Sequence, residues 1–288
     1  MEKKIVDLHV HSSASDGTFS PTALLEEAKK AGLCAMALTD HDTTAGVKAA
    51  QTAADRLGIE LIPGVELSTE YEGKEIHVVG LAIDIDNPSM QEHMQRFRES
   101  RDNRNGKMIA NLRAEGFSIT EEELKERYPD AVITRAHIAR FLADTEQIPE
   151  MKVAFERYIG DDGICYVPRP KVTPMDAVDM IVAAKGIPVL AHPVLYHMDK
   201  TKLRKLITEL KAHGLVALEA IYSENLPGDE QYFKALAQEE GLLISGGSDF
   251  HGTNKPQIQL GKGRGSLYIP YDVWEKLKEK SKKTLDVS

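Results

Sequence analysis

Six imidazoles and three carboxylates of this chain stand where they could share metal ions. They are His9, His11, Asp16, His41, Glu66, His77, His192, Asp249 and His251. Imidazole nitrogen mixed with a few carboxylate oxygens suits zinc, manganese or iron, whereas an all-oxygen set would point to calcium or magnesium. One tetrahedral ion takes four ligands, so this surplus implies two or three ions sharing a carboxylate. Ions held that close together can activate a bound water, the chemistry of metal-assisted hydrolysis. His93, His197 and His213 lie outside the pattern and read as ordinary surface or core residues.

The elements that must position these groups are legible from the apolar runs that precede them. Val6-Asp7-Leu8 leads to His9, Ala35-Met36-Ala37-Leu38 to His41, and Leu61-Ile62-Pro63-Gly64-Val65 to Glu66. Ile187-Pro188-Val189-Leu190 leads to His192, and Leu242-Leu243-Ile244-Ser245 towards Asp249. One ligand-capable group per strand end is how a barrel-like α/β enzyme builds a site from distant sequence. His9 and His11, two apart on an extended segment, point the same way. Strands are predicted at 5–11, 34–40, 60–67, 74–83, 187–192, 215–221 and 242–247, with Glu72-Gly73-Lys74 as the turn before the fourth. Helices are predicted at 21–31, 43–57, 173–185, 199–212, 227–240 and 271–283. Ser20-Pro21 supplies a helix start and Gly58 a helix stop. This spacing predicts parallel strands joined by crossover helices.

Between the fourth and fifth strands the alternation stops. Residues 89–115, 120–128, 135–144 and 150–159 read as helices, so 89–171 is expected to be an inserted helical cap. The barrel would then comprise 1–88 and 172–288. Ten of the thirteen arginines fall within 91–171. Most read as solvated partners of nearby acids, with a few placed to grip an anion.

Composition narrows the function classes. A chain of 288 residues, 42% hydrophobic and 28% charged, reads as a globular protein with a full core. No 18-residue apolar run is present, which excludes a membrane span of that kind. Met1-Glu2-Lys3-Lys4 enters a strand at once, without a signal-peptide pattern. Cys34 and Cys165 make neither a metal spacing nor a disulfide framework, and a cytoplasmic setting is expected. A net charge of −9 argues against a duplex-DNA-binding surface.

His9-x-His11, Thr39-Asp40-His41, Gly64-Val65-Glu66, Ala191-His192-Pro193 and Gly247-Ser248-Asp249-Phe250-His251 together resemble the successive motifs of the PHP (polymerase and histidinol phosphatase) superfamily. The resemblance implies a distorted seven-stranded (βα)7 TIM-like barrel with a trinuclear site at the carboxyl ends of its strands. It would place one ion on His9, His11, Glu66 and Asp249, and a second on Glu66, His77 and His192. Asp16, His41 and His251 would hold the third, with Asp40 orienting His41 from behind. Two or three divalent ions (Mn, Zn or Fe) would then be the cofactors.

The segment from Ile133 to Leu142, with Tyr158-Ile159-Gly160 and Tyr166-Val167-Pro168, resembles the compact bacterial phosphoesterases of that superfamily. Those act on nucleoside 3′,5′-bisphosphates, nucleoside monophosphates and the ends of short RNA. The implied substrate is thus a phosphorylated nucleotide or short single-stranded RNA, the latter degraded 5′→3′. Histidinol phosphate is the alternative. Arg135, His137 and Arg169 are the expected substrate contacts, with Tyr222 and Ser223 on the same rim. His192 or His251 would have to protonate the leaving group.

Overall fold

The computed structural model describes residues 4–168 and 172–285, so Arg169 lies outside the described residues. Seven strands form one sheet in chain order: β1 Ile5–Val10, β2 Leu33–Leu38, β3 Glu60–Tyr71, β4 Lys74–Leu81, β5 Ile187–Leu190, β6 Ala217–Tyr222 and β7 Leu243–Gly247. Its two edges meet just beyond the strands. The His11 N–H donates to the Phe250 carbonyl at 3.0 Å and the Asp249 N–H to the His9 carbonyl at 2.9 Å. The result is the distorted (βα)7 barrel expected from sequence.

One strand runs against expectation. β4 is antiparallel to both β3 and β5, while the other pairings are parallel. Its connection explains why. Glu72 and Gly73 both take positive φ, 50° and 78°, in a two-residue turn whose twist matches a hairpin. Such a turn reverses the chain and leaves no length for a crossover. Because β4 returns directly on β3, His77 lies opposite Ser68 in register, two positions from Glu66.

Helices α1 Pro21–Lys30 and α2 Val47–Leu57 cover the early strands. Ser20 caps α1 by accepting from the Ala23 N–H at 3.2 Å, as predicted. α2 starts four residues later than predicted, because Thr43 turns the chain locally by accepting from the Ala45 N–H at 3.2 Å. The inserted segment forms α3 Pro88–Ala114, α4 Glu121–Arg127, α5 Arg135–Asp144 and α6 Met151–Ala154, which runs on as a π-helical turn through Ile159. α7 Pro174–Ala183, α8 Lys200–His213, α9 Asp229–Glu239 and α10 Tyr271–Leu285 complete the outer ring.

Two apolar clusters set the division of labour. Val6, Leu8, Ala35, Ile62, Val189 and Ala217 fill the barrel and meet Trp274 and Leu277 of α10. Met108, Leu112, Ile138, Phe141, Leu142 and Ile159 form a separate core among the inserted helices. α3 ties the two together, since its early residues Met90, Met94 and Phe97 pack with Val65, Ile76 and α7. Arg101 of α3 is buried and bridges to Asp42 at 2.5 Å and to the Ser68 hydroxyl at 2.8 Å. No helix among the described residues is long and apolar enough to cross a membrane.

Candidate metal centre

The carboxylate of Glu66 is the hub of the site. It lies within β3, 1% exposed, and five imidazoles converge on it. Oε2 is 3.2 Å from His9 Nε2, 3.2 Å from His11 Nε2 and 3.1 Å from His41 Nδ1. Oε1 is 2.9 Å from both His77 Nδ1 and His192 Nε2. Asp249 closes the near side, 3.4 Å from His11 Nε2 and 3.3 Å from His251 Nδ1. Asp16 closes the far side, 3.2 Å from His251 Nε2 and 3.8 Å from His41 Nε2. All nine residues identified from sequence therefore come together.

Four overlapping sets have donor atoms within 4.8 Å of one another: His11, Asp16, His41 and His251; His9, Glu66 and His192; His9, His11 and Asp249; and His41, Glu66 and His77. Glu66 belongs to two of them, as a shared carboxylate must. The residues fit a metal cluster on a further ground. His9 Nε2, both nitrogens of His11, Asp16 Oδ1, His41 Nδ1 and His77 Nε2 are buried without a hydrogen-bond partner. Burying so many polar atoms unsatisfied is costly unless something else coordinates them. These clusters are able to coordinate divalent ions.

Local backbone conformation aims the ligands. His192 takes φ 24° and Asp249 φ 55°, both left-handed and unfavourable for residues with a Cβ. Gly247 answers a different need, because a Cβ there would fall 2.1 Å from His9 Cβ. Only a glycine lets β7 approach β1 that closely.

The supporting shell contains a residue that sequence reasoning missed. Glu219 of β6 is 2% exposed, faces His9 Nδ1 at 3.1 Å and accepts the His192 backbone N–H at 2.7 Å. It thereby fixes the His9 ring with Nε2 turned to the centre, the arrangement that outer carboxylates impose on metal-binding histidines. Its signal was present as a lone acid inside the apolar run Ala217-Leu218-Glu219-Ala220-Ile221. Glu219→Ala is expected to weaken metal affinity by roughly 10–100-fold. Competition with a chromophoric chelator would measure it, and an unchanged affinity would remove Glu219 from this role.

Other expectations are corrected. Asp40 does not brace His41: its oxygens accept from the Ser12 N–H at 2.8 Å and from the Ser12 and Ser15 hydroxyls at 2.7 Å. It shapes the loop that carries Asp16. Tyr222 and Ser223 do not line the rim, because their hydroxyls are used internally. Tyr222 donates to Asp249 Oδ2 at 2.8 Å, and Ser223 to the Ser248 carbonyl at 2.7 Å.

Charge in the cluster is divided. Burial works against the charged form of every group here, and neighbours decide the outcome. Against that burial, Glu66 and Glu219 hold His9 well above its usual value. Asp249 and Glu66 likewise push His11 up to about 9. Burial prevails at His41, held well below the ordinary imidazole range despite Glu66 and Asp16. It also lowers His251, helped by Lys255. The three carboxylates stay ionised: burial is outweighed at Glu66 by His9 and His41, at Asp16 by His41 and His251, and at Asp249 by Lys255 and His251.

The cluster opens on a cavity of about 320 Å³ lined by Asp16, His41, Glu66, His77, His192, Asp249 and His251 on the barrel side. Arg135, Met151 and Phe155 face it from the inserted helices, and Lys255 from the segment after β7. Arg135 opens α5, ion-pairs with Glu75 and with Asp161 (2.8 Å), and lies over the Tyr166 ring at 5.6 Å. Lys255 Nζ contacts Asp249 Oδ2 at 2.6 Å. His137 is elsewhere: its Nδ1 accepts the Thr134 N–H at 3.0 Å, and its ring packs on Tyr128 at 4.3 Å. Burial lowers it to about 4, so the ring is neutral and caps a helix. Of the two rings expected to protonate a leaving group, His251 uses Nδ1 on the Asp249 carbonyl at 2.8 Å and turns Nε2 to Asp16. His192 keeps a buried Nδ1 without a hydrogen-bond partner.

Histidine-and-carboxylate clusters buried at strand ends and open to a cavity are the arrangement of a metal-dependent hydrolase acting on phosphoric esters. Comparison with known proteins agrees. A 5′-3′ exoribonuclease of Haemophilus influenzae is 38% identical over 276 residues, covering 96% of this chain and 100% of that one. A 3′,5′-nucleoside bisphosphate phosphatase of Chromobacterium violaceum is 33% identical over 273 residues, covering 94% and 96%. A solved structure from Chromobacterium violaceum, described as an amidohydrolase with bound sulfate and no metal, superposes with a TM-score of 0.86 at 33% identity, covering 96% of each chain. The PHP domain model matches residues 7–208, and with this fold and this ligand set the chain belongs to the PHP family.

Proposed function

We propose that this metal-dependent phosphoesterase hydrolyses the 3′-side phosphoester of nucleotides that carry a 5′-phosphate, releasing phosphate from 3′,5′-nucleoside bisphosphates and 5′-mononucleotides, one at a time, from the 5′-phosphorylated ends of short RNA. The observation that carries the reading is a guanidinium, that of Arg135, facing the same cavity as Glu66, His77 and His192. The ligand assignment goes with it: His9, His11, Asp16, His41, Glu66, His77, His192, Asp249 and His251 would hold two or three ions of manganese, zinc or iron, with Glu66 the carboxylate common to two of the donor sets. Bound there, such ions supply a water of lowered pKa and neutralise phosphate oxygens.

The chain's own residues do the rest. Arg135, steadied by Glu75 and Asp161, offers its planar fork to the phosphate that is not cleaved. Lys255 holds Asp249 in place by its ion pair. The helices between β4 and Ile159 act as a cap whose Met151 and Phe155 exclude water from the reacting face. The relatives of matching length act, by their names, on RNA and on nucleoside bisphosphates. An amide-hydrolysing reading is less well supported, since Lys255, the lysine beside the cluster, is ion-paired to Asp249 rather than free to bridge ions.

Release of phosphate from 3′-phosphoadenosine 5′-phosphate, AMP and histidinol phosphate, and of 5′-mononucleotide from a 5′-phosphorylated oligoribonucleotide, each with Mn²⁺, tests the assignment. The bisphosphate or the oligomer is expected to give the highest kcat/KM. Faster turnover of histidinol phosphate would overturn it. Arg135→Ala should lower kcat/KM on the bisphosphate by about tenfold to a hundredfold, the loss of a charged hydrogen-bonded contact, while AMP changes far less. Equal losses on both would reject this role for Arg135.

A further inference from the structure

Beside the metal-side cavity lies a second and larger one, about 530 Å³ against 320 Å³, which hydrolysis of a mononucleotide does not require. The two share Asn254 in their linings. Asn254 Nδ2 donates to the Asp16 carbonyl at 2.6 Å, while its Oδ1 accepts from Arg140 Nη2, also at 2.6 Å. A chain leaving the cluster past Asp16 therefore meets this second cavity across a single side chain.

Its lining is chemically selective. Arg127 and Arg140 share one acid, Asp144, at 2.5 and 3.9 Å, so two guanidinium groups face one carboxylate. Arg127 keeps a side chain 42% exposed, able to take a further anion. Next to it the half-buried Tyr128 ring stands on the His137 ring, 4.3 Å between centroids. That pair is a braced aromatic surface, because His137 is itself held by the Thr134 backbone. The exposed Thr18 also lines this cavity. A cation paired with a fixed aromatic face is how single-stranded nucleic acid is bound without reading sequence. The volume falls within the range of ordinary small-ligand sites.

We propose that this cavity is a subsite for the nucleotide adjoining the scissile phosphate of single-stranded RNA, with its base on Tyr128 and its phosphate on Arg127. The inference rests on the phosphoesterase reading and adds the feature that would separate oligonucleotides from mononucleotides. A mononucleotide ends at the first cavity; an oligomer continues into the second.

The test compares the Mn²⁺-loaded protein with its Arg127→Ser/Tyr128→Leu variant on a 5′-phosphorylated trinucleotide RNA and on 3′-phosphoadenosine 5′-phosphate. Both substituted side chains lie away from the histidine cluster, and Tyr128→Phe serves as the variant that keeps the ring. The double variant should raise KM for the trinucleotide by about tenfold or more with kcat retained, the value of one lost stacking contact and one phosphate contact. Its KM for the bisphosphate should stay within about twofold, and Tyr128→Phe should resemble the parent on both substrates. The slope of log KM against log salt should flatten by about 0.7 for the trinucleotide. An unchanged trinucleotide KM, or parallel changes on both substrates, overturns the subsite. So does a parent protein that hydrolyses the bisphosphate but not the trinucleotide. A parent that hydrolyses neither sinks the functional reading itself, which marks the two failures apart.

Discussion

Glu66→Gln is expected to abolish most activity, lowering kcat/KM by at least about 10³-fold, or roughly 4 kcal/mol of transition-state stabilisation. The substitution keeps the shape of the side chain and removes its charge. Five imidazoles approach its two oxygens at 2.9 to 3.2 Å, so no neighbour can take over. A neutral amide is a poor bridge between cations, because its NH₂ end has no lone pair to offer a metal ion. Metal content measured on the purified variant should fall with activity. If Gln at this position retained a tenth of the parent rate with full metal content, the bridging role would be wrong.

Chelation should have the second largest effect, and it reports on the site without any assay of turnover. Removing the ions is expected to lower Tm, since an ion present at about a hundred times its dissociation constant adds roughly 2.7 kcal/mol to stability. The pH dependence is more specific. In the metal-free protein His11 is pushed up to about 9 and His9 also lies well above its usual value, so both carry protons at neutral pH. A metal takes the neutral ring, so loading must release these protons and affinity must rise with pH. Calorimetry in buffers of different ionisation enthalpy would count them.

The linked stability has a definite sign. A raised histidine stabilises the fold fully below its unfolded value near 6.5 and loses that contribution as pH rises through its folded value. Metal-free protein should therefore lose stability between about pH 6.5 and 9, by roughly 3 kcal/mol from His11 alone. Protein saturated with Mn²⁺ should not show that decline. Identical curves for the two forms would mean that His9 and His11 do not bind the ions.

Amino-acid order alone was enough for much of this site. A ligand placed after an apolar run is detectable because barrel strands are short, buried and end at one common face. His9, His41, Glu66, His192 and Asp249 were all identifiable on that ground, and the structure brings them onto one centre. The helical segment between β4 and β5 was equally plain, because the strand–helix alternation simply stops there.

Tertiary structure decided what hydrogen bonding and strand direction control. The reversal of β4 depends on the positive φ values of a two-residue turn, and the pattern of apolar residues is blind to strand direction. Glu219 looked like one more charged residue until the barrel closed and brought β6 beside β1 and β5. The same closure spent the hydroxyls of Tyr222 and Ser223 on Asp249 and Ser248, and the carboxylate of Asp40 on the Ser12–Ser15 loop. A residue's type limits which partners it can accept. Which partner it takes is settled only when distant segments meet, because a buried polar atom left without one is costly.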